Sequence, residues 1–160
     1  MNQEEWLTAY IESAFAGVEL GDGIDIQAAE SMDDYGNPRE EQLSKIAERR
    51  DWRRVPHAIM FPRFWAVTFL DAVGFRFCAP ATMTALVQPH DPRECLSSWF
   101  FTGLHVDRNG RIKGVPFKSL FTAQQKAAIV RFLKYAVHNR HRHFDASEAK
   151  RRLNEIQTRT

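Results

Sequence analysis

From Trp6 to Val18, apolar residues recur every three or four positions through Leu7, Tyr10, Ile11, Ala14 and Phe15. That spacing predicts a helix with one buried stripe, opened by Glu4 and Glu5 at its positive end and closed near Gly17. The stretch VELGDGIDI turns on Gly21 and Gly23. With no preceding strand and no further glycine it reads as a turn rather than a phosphate-binding loop. Asp25 then predicts an N-cap for a short helix carrying Ala28, Ala29 and Met32, which stops at Tyr35 and Gly36. Pro38 suits the first residue of a third helix, expected to turn Leu43, Ile46 and Ala47 inward as far as Asp51.

Between Trp52 and Pro62 the two prolines predict irregular backbone. The segment AVTFLDAVGFRFCAP reads as two short strands around DAVG, followed by a helix opening at Pro80. RECLSSWFFTGL reads as helix, and Asn109-Gly110 in LHVDRNGRIKGV predicts a type I′ hairpin turn. Thr122 with Gln125 forms a capping box before an apolar face of Ile129, Phe132, Leu133, Ala136 and Val137. Asp145 with Glu148 repeats that signal for a last helix bearing Ala149, Leu153 and Ile156. These elements predict an α+β fold, a mainly helical single domain with one or two short β-hairpins. Residues 1–160 form the domain, and 141–160 form a basic C-terminal helix and tail.

A composition of 44% hydrophobic and 26% charged residues suits one soluble core. MNQEEWLTAY lacks the basic start of a secretory signal, and no apolar run reaches the roughly 18 residues of a membrane span, so a cytoplasmic location is expected. Cys78 and Cys95 form no CxxC pair and read as reduced thiols. Charge is polarised along the chain: residues 1–41 hold eleven acids and one base, a net of −10, whereas residues 108–160 hold thirteen bases and three acids, a net of +10. Either the two ends neutralise each other, or one of them faces a charged partner.

The run YAVHNRHRH places His138, His141 and His143 beside Arg140 and Arg142. On one helix His138 and His141 lie about 60° apart and His143 points elsewhere, so the three cannot converge on a metal without a bend and a distant ligand such as His90, His105 or Cys95. The simpler expectation is a helix C-terminus whose free carbonyls attract cationic side chains. GxSxG, HExxH, P-loop and kinase signatures are absent from the sequence. Catalytic residues, cofactor and metal are therefore all assigned as none, and an enzyme is disfavoured. Asp33 and Asp34 at a helix C-terminus oppose its dipole, which suits a surface that a basic partner neutralises. Trp52, flanked by Arg50, Arg53 and Arg54, is the expected exposed aromatic anchor.

ESMDDYG (30–36), DWRRVP (51–56), FLDAVGFRFCAPATM (69–83) and QQKAAIVRFLKY (124–135) together resemble a family of short, uncharacterised bacterial proteins known only as a domain of unknown function. The resemblance runs from about Ile11 to Val137. It implies a compact domain of mixed helix and hairpin, and brings no activity with it. That pattern has an aromatic residue and a leucine before the proline, where this chain has Cys78 and Ala79. Arg76, in GFRF, either faces outward or pairs with Asp71 across the turn. The reading that follows is a non-enzymatic protein-binding module, immunity-like in form, that neutralises a basic toxin domain through its acidic N-terminal third, with Asp33, Asp34, Tyr35 and Trp52 facing the partner. The alternatives are a nucleic-acid-binding accessory protein using the basic C-terminal third, including Arg140, Arg142, Arg151 and Arg152, and a metal-dependent hydrolase built on the histidines. A membrane partner is not expected.

Overall fold

The structure, a computed structural model, describes residues 1–88, 96–139 and 144–160. In chain order its elements are α1 (Gln3–Ala14), α2 (Ile26–Asp33), α3 (Pro38–Lys45), a 3-10 turn (Trp52–Arg54), α4 (His57–Met60), a 3-10 helix (Phe61–Thr68), α5 (Ala72–Val87), α6 (Leu96–Gly103), β1 (Arg111–Ile112), β2 (Val115–Pro116), α7 (Phe117–Leu120), α8 (Ala123–His138) and α9 (Ala146–Arg159). The domain is thus mainly helical, with one two-stranded antiparallel sheet among the described residues.

Local chemistry accounts for where the helices start. Asn2 and Glu5 exchange side-chain and backbone hydrogen bonds at the start of α1, and Thr122 and Gln125 do the same at α8. Asp25, Asn37 and Asp145 cap α2, α3 and α9. Each cap satisfies N–H groups that the helix itself leaves free, at about 1 kcal/mol apiece.

Of the segment expected to form a hairpin and then a helix from Pro80, residues 66–68 end the 3-10 helix and the residues from Ala72 on form one continuous helix, α5, with Pro80 inside it. Eleven of its 16 residues are buried, and it packs against α1, α6, α7 and both 3-10 segments, so its sequence is apolar on nearly every side. A helix buried all round carries no 3.6-residue stripe, and its Val, Phe and Thr residues imitate strands. DAVG is the helix start: Asp71 accepts from the Gly74 N–H at 2.8 Å and from the Ile24 N–H at 3.0 Å. A Cβ on Gly74 would lie 2.1 Å from the Ile24 oxygen, so only glycine lets the 20–24 loop rest there. Asp71 is therefore not the partner of Arg76, whose guanidinium instead donates to the Leu120 oxygen.

Two further expectations are corrected. The hairpin turn lies at Lys113 and Gly114, both at positive φ, with Arg111 opposite Pro116 and Ile112 opposite Val115. Asn109-Gly110 makes the preceding turn, in which the Asp107 carboxylate accepts from the N–H groups of Asn109 and Arg111. Helix α3 ends at Lys45, leaving Ile46 81% exposed rather than inward. Past that point Arg49 crosses to the glycine turn, donating to the oxygens of Gly21 and Gly23 and to Asp25, while its own carbonyl accepts from Leu20.

Candidate functional site

Helix α2 ends in a left-handed residue, and that residue is Tyr35, at φ 54°. The Gly36 N–H reaches back to the Ser31 oxygen at 2.9 Å, the hydrogen bond of a Schellman cap. Glycine usually takes the position Tyr35 holds, because a side chain there costs roughly 1–2 kcal/mol. The chain has a glycine, but one residue later. The Asn37 N–H donates to the Ser31 hydroxyl, and Asn37 and Pro38 open α3 at once, so the corner is tightly built. Its tyrosine is nonetheless 101% exposed, with Met32, Asp33 and Asp34 exposed beside it. Asp34 also accepts from the Asn37 side-chain amide.

Beneath the corner Arg63, on the 3-10 helix, makes a bidentate pair with Glu40 of α3 at 2.8 Å on each arm and donates to the Ile59 oxygen. Its Nε is also 2.9 Å from Glu30 Oε2 of α2. The single Nε proton points to Glu40, which is why Glu30 Oε2 lies close to the cation yet receives no hydrogen bond. Burial raises the Glu30 pKa; Arg63 opposes that rise, while Glu40 and Asp34 add to it. One guanidinium thus clamps the two helices that present Tyr35.

Trp52 lies elsewhere and is not exposed. It is 4% accessible, its indole N–H donates to the Phe15 oxygen at 3.0 Å, and its turn packs on α5. The expected aromatic anchor is a core residue, and it does not join Asp33, Asp34 and Tyr35 in a common surface. Position in an arginine-rich segment carried no information about burial, because Arg53 turns away to pair with Asp51.

The groups with chemical potential are held in separate parts of the fold. A cavity of about 170 Å³ opens between α2, α3, α4 and α5, lined by Ile26, Leu43, Ala47, Val55, Ile59 and Phe77, with Cys78 in its wall. Burial pushes the Cys78 thiol up to about 12, so it stays neutral and unreactive. Lys113 reaches from the hairpin to the oxygens of Thr68 and Leu70 and over the Phe75 ring. Burial brings its pKa down to about 8, against the pull of Asp71.

The basic C-terminal third is also rearranged relative to expectation. Arg152 is buried, between Glu148 and Glu155 and beside His105 Nδ1. It is unavailable to a nucleic acid, and the residues from Ala146 to Arg159 form a helix packed against α8. Burial alone would raise the Glu155 carboxyl, but hydrogen bonds from Arg152, the Val106 N–H and His105 hold it below the ordinary range. His138 donates from Nδ1 to the Lys134 oxygen at 2.7 Å, in keeping with a helix-end role. Arg140, His141, Arg142, His143, His90 and Cys95 lie outside the described residues. Among the described residues no cluster of three metal-ligating side chains occurs, and no helix is long and apolar enough to cross a membrane.

Sequence reasoning passed over a second exposed aromatic group. Trp6 was expected in the buried stripe of α1, but it is 45% exposed and stacks on Tyr10 at 5.5 Å. Positions at the edge of a helical stripe carry no signal that separates core from rim.

No curated protein and no solved structure matches the chain. A family match spans residues 2–155, well beyond the four segments that first suggested one, and the chain belongs to the Family of unknown function (DUF6714).

Proposed function

We propose that this protein is a non-enzymatic binding module that captures a basic protein on the α2–α3 corner, in the manner of an immunity protein blocking a basic toxin domain. The observation that carries this reading is Tyr35: an aromatic side chain fully in solvent, on backbone that disfavours any side chain, directly after two acids that oppose their own helix. The exposed ring and its left-handed backbone do not stabilise the fold. Ring and acids alike suit a contact surface, where tyrosine supplies rigid area and acids speed encounter with a cationic partner. Trp52 has no part in it. A cytoplasmic setting fits this role.

The reading is tested by affinity capture from the native host with the wild type and with Tyr35→Gly combined with Asp33→Asn and Asp34→Asn. A basic protein retained by the wild type and lost by the triple variant is expected, with association slowed at high salt. Equal retention by both would remove the corner from consideration.

A further inference from the structure

Helices α1 and α8 share a face that the capture of a basic protein does not use. A cavity of about 210 Å³ lies between Gln3, Trp6 and Leu7 of α1 and Arg131, Lys134 and His138 of α8, with Tyr135 completing it. We propose that this face binds single-stranded nucleic acid, with a base stacked on Trp6 and the phosphates following Lys134 and His138.

The aromatic part of the site is preorganised. The Arg131 guanidinium lies 4.4 Å from the Tyr10 ring centre and 5.8 Å from that of Trp6, and it donates to the Tyr10 hydroxyl at 3.3 Å. Trp6 is therefore fixed against Tyr10 while nearly half of it stays accessible. Arg131, Lys134 and His138 follow one side of α8 over about 10 Å, longer than a single phosphate needs. Lys134 has no carboxylate partner among the described residues, and the exposed His138 ring, bound through Nδ1 to the Lys134 oxygen, extends the row by one turn. Glu4, the acid at the edge of this face, accepts from the Tyr135 hydroxyl at 3.0 Å. A purely anionic ligand would make no use of the indole, and a purely apolar one no use of the cations. An unpaired base on its phosphate backbone uses both, whereas a duplex hides its base faces.

The test is fluorescence anisotropy of a labelled oligothymidylate of about ten nucleotides with the full chain, at low and moderate salt. Binding at low salt is expected with Kd roughly between 10⁻⁴ and 10⁻⁶ M, weakening with salt and quenching tryptophan emission. Trp6→Ala should weaken it about tenfold or more with an unchanged salt slope. Lys134→Gln should weaken it and lower the slope by about one. Both substitutions are at the surface, and unchanged melting temperatures would confirm intact folds. Partial retention by Trp6→Phe would support stacking. The proposal is overturned if no binding appears at low salt, if Trp6→Ala binds like the wild type, or if a duplex, thymidine monophosphate or polyglutamate competes as well as the single strand.

Discussion

At the α2–α3 corner Asp33 and Asp34 stand in solvent beside Tyr35, whereas on α9 the equally charged Arg152 and Glu155 are buried and bonded to one another and to Glu148 and His105. Both segments look like charged helix surface in the sequence. The difference lies in what each helix packs against. Helix α9 lies along α8 and beneath the 105–106 segment, so its inward side had to neutralise its own charges. The end of α2 projects past the Arg63 clamp, and its acids meet water. A count of charges along a chain is therefore not a map of its field: of the eleven acids in the first 41 residues, Glu4, Glu5, Asp25, Glu30, Asp34 and Glu40 make hydrogen bonds or ion pairs within the fold.

The largest expected effect separates core from surface. Trp52→Ala should cost about 3–5 kcal/mol in urea denaturation, through lost packing and the unpaired Phe15 oxygen. A cost below about 1 kcal/mol would return Trp52 to the surface and restore it as an anchor. Nearly as large, Arg152→Ala should cost about 3 kcal/mol by removing the buried cation bonded to Glu155 and leaving it, of its arginine partners, only the longer pairs with Arg151 and Arg159. Because the folded Glu155 pKa is depressed, the stability it contributes is present above its unfolded value of 4.5 and is lost as pH falls below that. The wild type should accordingly lose more of its advantage over Arg152→Ala on acidification than a solvent-exposed pair would.

Lys113 carries a dependence of the same sign in a more alkaline window. Its folded pKa of about 8 lies below the unfolded 10.5, so the folded state disfavours the proton that the unfolded chain retains between those values. Stability of the wild type relative to Lys113→Met should rise as pH increases from about 8 to above 10, measured by thermal or urea unfolding of both proteins. A flat difference would show that the ammonium is solvated and the hairpin only loosely attached.

The smallest effect on folding belongs to the corner. Asp33→Asn with Asp34→Asn should leave stability unchanged or slightly raised, and Tyr35→Gly should leave it unchanged or raise it by up to about 1 kcal/mol, as relief of the left-handed strain offsets the greater freedom of glycine in the unfolded chain. The same changes should reduce partner capture. A loss of several kcal/mol on neutralising the acids would instead make the corner resemble the α9 network and end its candidacy as a binding surface.

By itself the sequence determined the starts of five helices. Asn2, Asp25, Asn37, Thr122 and Asp145 act on N–H groups within three residues, and such local bonds need no partner element. It also determined that Asp33, Asp34 and Tyr35 end a helix at a turn, since Gly36, Asn37 and Pro38 allow little else. Only the tertiary structure decided that residues 72–87 form one buried helix, because burial on all sides erases the periodicity that distinguishes helix from strand. It alone decided that Trp52 is inside and Trp6 outside, and that Arg152 is neutralised while Lys134 has no carboxylate partner among the described residues. Those outcomes depend on contacts as distant in sequence as Trp52 with Phe15 and Arg152 with His105, and spacing along the chain does not encode which of two similar side chains such a contact will cover.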